Sequence, residues 1–278
     1  MVHRWRCRHC DYVVWSADGA AAVESAKSHL LTHYGGRMTS DGFQLGWDCP
    51  YCDVERQLYG GDEDEAVRTF RDHLFQHAKP LMESGVHIAD AVDRSGSVLV
   101  RAPLEGPQAD NARQHFYSVG DVVVLVTTTP GERVRLLRRS LGSWPAWTVV
   151  VTTVDEPLTG VDAVDASDDP IEVVSLDKRH GLQEVGQAIS RVVGDQKTTD
   201  GQLSVEFDVL SEILDKFDME RVFRFLHILT SRLDQADAVS HFYLDPSAQQ
   251  AATSNVLESV FDLTVAADGE TFVTGEQS

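Results

Sequence analysis

Leu203-Ser-Val-Glu-Phe-Asp-Val-Leu-Ser-Glu-Ile-Leu214 decides how the larger part of this chain is read. Leu203–Phe207 reads as a strand, and Asp208 closes it at its C-terminal end. Glu206 is out of place in a buried strand, so it is expected to face a cleft or a sheet edge. Working outward, further strands are predicted at 98–101, 121–127, 148–154, 171–175 and 238–244, and one more over 261–265. Val122-Val-Val-Leu-Val126 is apolar at every position, as in a parallel strand covered on both faces. Helices are predicted at 109–117, 132–141, 182–193, 219–233 and 248–260. The 219–233 pattern is the clearest. Val222, Phe225, Leu226, Leu229 and Leu233 share one face, Asp218 is placed to cap the start, and Arg232 sits near the C-terminal dipole. Strands alternating with helices specify an α/β fold, a mostly parallel sheet with helices on both faces.

The order strand, loop, helix, strand, with an acid ending a later strand, is similar to a P-loop core. Over about residues 95 to 267 the chain resembles the RecA/KaiC-like ATPase superfamily, and more closely a haloarchaeal family of degenerate RecA-like proteins. The stretch quoted above carries the resemblance, with Phe223-Arg-Phe-Leu-His-Ile-Leu-Thr230 and His241-Phe-Tyr-Leu-Asp-Pro246. It implies that Asp208 holds the Walker B place, where the superfamily binds Mg²⁺. It also implies a P-loop, G-x-x-x-x-G-K-[ST], after the first strand. This chain has Val100-Arg-Ala-Pro-Leu-Glu-Gly-Pro-Gln-Ala-Asp110 there, with neither the Lys nor the Ser/Thr. Pro103 and Pro107 each remove an N–H that a phosphate cradle needs, and Glu105 adds a negative charge. Asp208 and Arg113 are cofactor-site residues only if a nucleotide binds; otherwise Asp208 is a structural acid and Arg113 a solvated helix residue. His227 is expected among buried residues. Ser240, His241 and Asp245 make no triad, because residues so spaced on one strand point to different faces.

The first 80 residues are different in kind. All four cysteines lie here, as Cys7-x-x-Cys10 and Cys49-x-x-Cys52, inside an internal repeat. Trp5-Arg-Cys-Arg-His-Cys-Asp11 matches Trp47-Asp-Cys-Pro-Tyr-Cys-Asp53. His29-x-x-x-His33 matches His73-x-x-x-His77. A tight turn brings two thiolates together, and histidines at i and i+4 aim two nitrogens at one point. Asp18 with Gly19, and the acids from Asp62 to Glu65, mark the helix starts, and Tyr12-Val-Val-Trp15 reads as a return strand. The expected ligands are Cys7, Cys10, His29 and His33 for one structural zinc, and Cys49, Cys52, His73 and His77 for a second. Four ligands fill each site, so His3 and His9 are not needed. A redox dithiol would sit beside a βαβ pattern, and none is adjacent.

The repeats resemble two-Cys, two-His zinc fingers, departing from them in a spacer longer than the usual ~12 residues. The family's base-reading helix positions would fall on Ala22, Ser25 and Ser28, and on Ala66, Thr69 and Asp72. None is Arg or Lys, the side chains that best read guanine. Arg4, Arg6 and Arg8 form the one basic stripe of this region and read as a solvated N-terminus.

Composition bounds the partners. The chain has 278 residues, 24 Lys+Arg against 44 Asp+Glu, and a net charge of −20, which opposes a generic nucleic-acid coat. Twenty-eight Asp against five Lys resembles proteins of extreme halophiles, whose carboxylates keep a surface hydrated in molar salt. Residues 1–85 carry −4 and the remainder −16, so the acid lies mainly in the α/β part. No apolar run approaches the ~20 residues of a membrane helix and the N-terminus has no apolar signal core, so a cytoplasmic protein is expected. The expected domains are a zinc finger at 1–37, a second at 38–81, a linker at 82–96 and a degenerate RecA-like domain at 97–278. The expected function is a non-enzymatic regulator or adaptor that docks protein partners. The alternatives are a RecA/KaiC-like nucleotide-binding ATPase, and a DNA-binding transcriptional regulator whose nucleic acid touches the fingers. No oligomeric state is assigned by the sequence.

Overall fold

The computed structural model describes residues 1–33, 38–41, 44–59, 62–93, 95–104, 106–161, 164, 168–179, 181–196, 201–247 and 251–274. The chain forms two compact units, Met1–Val86 with Asp268–Ser278, and His87–Ala267.

The first unit is built from the repeat. Strands β1 (His3–Arg6) and β2 (Val13–Ser16) form a hairpin around the first Cys-x-x-Cys, and α1 (Gly19–Thr32) follows. In the second copy β3 (Met38–Asp41) pairs with β4 (Gln44–Asp48). The β4–β5 (Glu55–Tyr59) hairpin carries the second Cys-x-x-Cys, and α2 (Glu63–Phe75) follows. The expected caps are in place: Asp18 accepts from Ala20 N–H and Asp62 from Asp64 N–H. A short strand, β6 (Glu83–Ser84), pairs with β1, and Arg4 bonds Glu83 at 2.7 Å. Residues 82–96, read from sequence as a linker, thus contain a paired strand and a 3-10 turn at Ala89–Val92.

The second unit runs β7 (Gly96–Arg101), α3 (Pro107–Arg113), β8 (Val122–Val126), α4 (Pro130–Leu141), β9 (Trp147–Thr152), β10 (Ile171–Ser175), α5 (Leu182–Gln196), β11 (Leu203–Phe207), α6 (Leu210–Lys216), α7 (Met219–Asp234), β12 (Ala238–Leu244), α8 (Ala251–Glu258) and β13 (Leu263–Asp268). Its sheet is parallel, in the order β10-β9-β8-β11-β12-β7-β13. Every residue of β8 is buried, because both faces are covered. Val122, Val124 and Val126 pack with residues of α5, α6 and α7, while Val123 and Leu125 pack with Val134 and Leu137 of α4. The last strand, β14 (Thr271–Val273), pairs with β2 and belongs to the first unit. The sequence places these residues in a domain at 97–278; the pairing with β2 assigns them to the first unit instead.

Local chemistry explains the shifted boundaries. Proline at the first helical turn starts α3 at Pro107 and α4 at Pro130, each two residues before the expected start. The chain leaves α3 after Arg113, where 109–117 was expected. Gly142, at φ +70°, ends α4 in the left-handed region and returns its N–H to Arg138 O. Helix α6 was not predicted; it has seven residues and no side-chain cap. Of the predicted helix 248–260, residues 248–250 lie outside those described. Leu226 of α7 is fully buried against the sheet. Leu226→Ala is expected to cost about 2–5 kcal/mol in urea denaturation, with an unchanged denaturant slope.

Candidate metal centres and a buried ionic cluster

In the first unit, hairpin and helix converge as the spacing requires. Cys10 Sγ lies 3.3 Å from His29 Nε2, Cys7 Sγ 3.4 Å from His33 Nε2, and the two Nε2 atoms are 3.0 Å apart. In the second copy Cys52 Sγ to His73 Nε2 is 3.3 Å, Cys49 Sγ to His77 Nε2 3.4 Å, and the two Nε2 atoms 3.4 Å apart. A tetrahedral zinc with ordinary bond lengths sets donors at ~3.6 Å for sulfur–nitrogen and ~3.3 Å for nitrogen–nitrogen. Both donor sets therefore already have the spacing of such a site, and each can hold one metal ion. Burial and the facing His33 lower the His29 pKa to about 4, keeping the ring neutral, as a ligand must be. Aromatic rings hold the ligands from behind. Tyr12 stacks on His29 at 3.8 Å, and Trp47 lies 5.3 Å from His73.

The two copies of the repeat also meet. His9 and Tyr51 occupy the same place in the two repeats, and their rings touch edge to face at 5.0 Å. Tyr51 Oη lies 3.7 Å from Cys7 Sγ of the other finger, while its ring stacks on His77 of its own. The base-reading positions largely turn inward. Ala22 and Ala66 are fully buried, Ser25 bonds Tyr12 Oη at 2.8 Å, and Thr69 Oγ1 accepts from Trp47 Nε1.

In the second unit, Arg113 is not solvated but 1% exposed. Its Nε donates to Glu206 at 2.8 Å, Nη1 to Asp110 at 3.2 Å and Nη2 to Asp208, and its guanidinium lies 4.0 Å over the Tyr243 ring. Glu206 faces neither cleft nor edge. It is fully buried in β11, between β8 and β12, and accepts from Tyr117 Oη. Asp208 also accepts from Thr127 Oγ1 and lies 3.6 Å from Arg133, which in turn donates to Asp110. Burial lifts Asp208 to about 6, against the pull of Arg113. Burial pushes the Glu206 carboxyl up, but Arg113, together with His241, Tyr117 and Arg133, outweighs it and holds that carboxyl below its usual range. Beside it on β12, His241 Nδ1 meets Tyr243 Oη at 2.8 Å and its ring stacks on Phe116 at 4.2 Å. His227 is exposed, against expectation. Ser240 turns away from His241 to bond Gly96 O, in keeping with the rejected triad.

The loop after β7 spends its N–H groups internally: Ala102 on Leu244 O, Leu104 on the Asp245 carboxylate. Glu105 lies outside the described residues. A cavity of about 280 Å³, missed from sequence, opens at the carboxyl ends of β8, β9 and β11. There the strand order reverses: β8 leads outward to β9 and β10, and the chain returns to β11 on its other side. Such a crevice has no local sequence signal, because it depends on strand order.

Residues 95–267, more than half of the chain, match a family of unknown function, DUF7504. The chain belongs to that family. Its DUF7504 region takes in the whole parallel sheet except the last residue of β13. No curated protein matches the sequence. The chain is similar to a protein from Pyrococcus horikoshii OT3 solved in a structural study, at 10% identity and a TM-score of 0.41, over 63% of this chain and 82% of that one. Among the described residues no helix is long and apolar enough to cross a membrane.

Three outcomes follow from these contacts. Arg113→Ala leaves the buried Glu206 without its guanidinium and is expected to cost about 3–5 kcal/mol in urea denaturation. Burial holds His241 at about 3, so wild-type stability from this group falls as pH drops below the unfolded value near 6.5. The stability gap between wild type and His241→Gln should therefore narrow from pH 7 to pH 4. Tyr51→Ala should weaken cobalt binding by both fingers, followed through the thiolate-to-cobalt absorption of each single-finger variant.

Proposed function

We propose that this chain is a zinc-binding, non-enzymatic regulatory or adaptor protein whose RecA-like domain, lacking a working P-loop, serves as a platform for protein partners. The observation that carries the reading is Arg113. A guanidinium shared among Asp208, Glu206 and Asp110 takes Oδ1 of Asp208, and Thr127 takes Oδ2, so both oxygens are already engaged by the chain itself. Arg133 stands on the same carboxylate, so a divalent cation there would meet two fixed positive charges. The RecA-like reading is supported by the strand that ends in Asp208, separated from β7 by one strand of a parallel sheet.

Zinc fits the two donor sets of the first unit. Cys7, Cys10, His29 and His33 would hold one ion, and Cys49, Cys52, His73 and His77 the other. Four protein donors leave no open position, so the ions would supply folding energy rather than catalysis. The inward turn of Ala22, Ser25, Ala66 and Thr69 supports protein contact over base readout. So does the edge strand β5, with Tyr59 exposed at its end and Val54 exposed just before its start.

Purified protein is expected to contain about two zinc ions per chain. Chelation should unfold the first unit, seen as loss of amide-exchange protection there; retained protection without metal would contradict the zinc reading. ATP with Mg²⁺ is expected to leave the melting temperature unchanged. A rise that Asp208→Asn abolishes would favour the ATPase alternative.

A further inference from the structure

Two of the helices on one face of the parallel sheet leave a groove between them. It has a volume of about 620 Å³ and lies between α5 and α7. Its floor is Leu182, Phe217 and Phe225, half-buried side chains packed on the core beneath, with Ile228 beside them 47% exposed. Gly186 keeps the α5 wall low: a Cβ there would stand 3.2 Å from the Phe225 ring. Along α7 the groove-lining residues run Arg221, Phe225, Ile228 and Arg232. Steps of four, three and four residues put them in one stripe down the helix. The stripe is apolar in the middle and cationic at both ends, and Arg224 adds a third guanidinium at the rim.

The arginines are loosely engaged. Arg221 pairs with Asp218 at 3.2 Å and Arg224 with Glu220 at 2.7 Å, all four side chains well exposed, and exposed pairs of this kind hold little energy. Arg232 donates to Ser190 Oγ on the opposite wall. In a chain of net charge −20, the groove lining carries three arginines against one glutamate, Glu184, and the acids that pair with Arg221 and Arg224 are themselves well exposed.

We propose that this groove docks an acidic amphipathic helix of a partner protein. Two apolar side chains of that helix sit over Phe225 and Ile228. Carboxylates to either side, three turns or about 16 Å apart, meet Arg221 and Arg232. Charge complementarity selects this occupant. A basic helix would be repelled from both ends of the stripe, and an acidic coil without apolar anchors would leave Ile228 in water. The proposal rests on the platform reading and gives that platform its partner class.

The test is fluorescence anisotropy on the full zinc-loaded chain in high salt. The probe is a labelled synthetic helix with a Leu-Ile centre and two glutamates eleven residues apart. Binding is expected to weaken at least tenfold in Ile228→Asp and in the double variant Arg221→Glu, Arg232→Glu. These positions are exposed, so the fold should survive, checked by an unchanged melting temperature. Exchanging the probe's glutamates for lysine should restore binding to the double variant. Equal binding of polyglutamate, no binding of the probe, or unchanged affinity in both variants would overturn the proposal. So would a wild-type dimer in sedimentation that Ile228→Asp makes monomeric, since a second copy would then fill the groove. A melting-temperature rise with MgATP would sink the platform reading without touching the groove, so the two failures are distinguishable.

Discussion

A carboxylate fully buried in a central parallel strand is the constraint on which the second unit depends. Glu206 has Leu125 on one side and His241 on the other in the ladder, and water reaches none of it. Burying an unpaired charge is prohibitive, so the face of the sheet above it must supply cations and donors. Arg113 and Tyr117 do so, and each makes a further demand. Arg113 needs acceptors for its other nitrogens, which Asp110 and Asp208 provide, and a ring to lie on, which Tyr243 provides. Phe116 then closes over His241.

The same network bears on the proposed absence of a working P-loop. The loop after β7 has no lysine to neutralise a phosphate. Here two arginines of the chain itself, from α3 and α4, stand on the acid at the end of β11. Two prolines at the loop and a backbone N–H given to Asp245 point the same way. Val205, Phe207, Phe242 and their neighbours make the opposite face of the sheet mainly apolar, and the exposed groove lies on that side, between two of the helices that cover it.

In the first unit the constraint is the metal donor set. Its ligand spacing is local, so the repeat made both donor sets legible, including which residues lead each helix. The contact between His9 and Tyr51 was not legible. Those two residues look like ordinary spacers within a Cys-x-x-Cys turn until the two copies face each other. The inward rotation of Ser25 and Thr69 was hidden for a related reason. A spacer longer than usual lengthens the helix before the first histidine and changes which face meets the hairpin.

Sequence by itself determined the α/β class, the parallel all-apolar strand β8, the caps of α1, α2 and α7, and the two ligand sets. Each is written in nearest neighbours or in a short period, where the physics is local. Tertiary structure alone decided that Glu206 is central and paired, that Arg113 is a buried anchor, that His227 is exposed, and that β14 returns to β2. Those outcomes depend on which distant strands become neighbours. A residue such as Glu206 has the same local sequence whether its strand lies at an edge or in the middle of a sheet, and only the surrounding strand order fixes its cost and its partners.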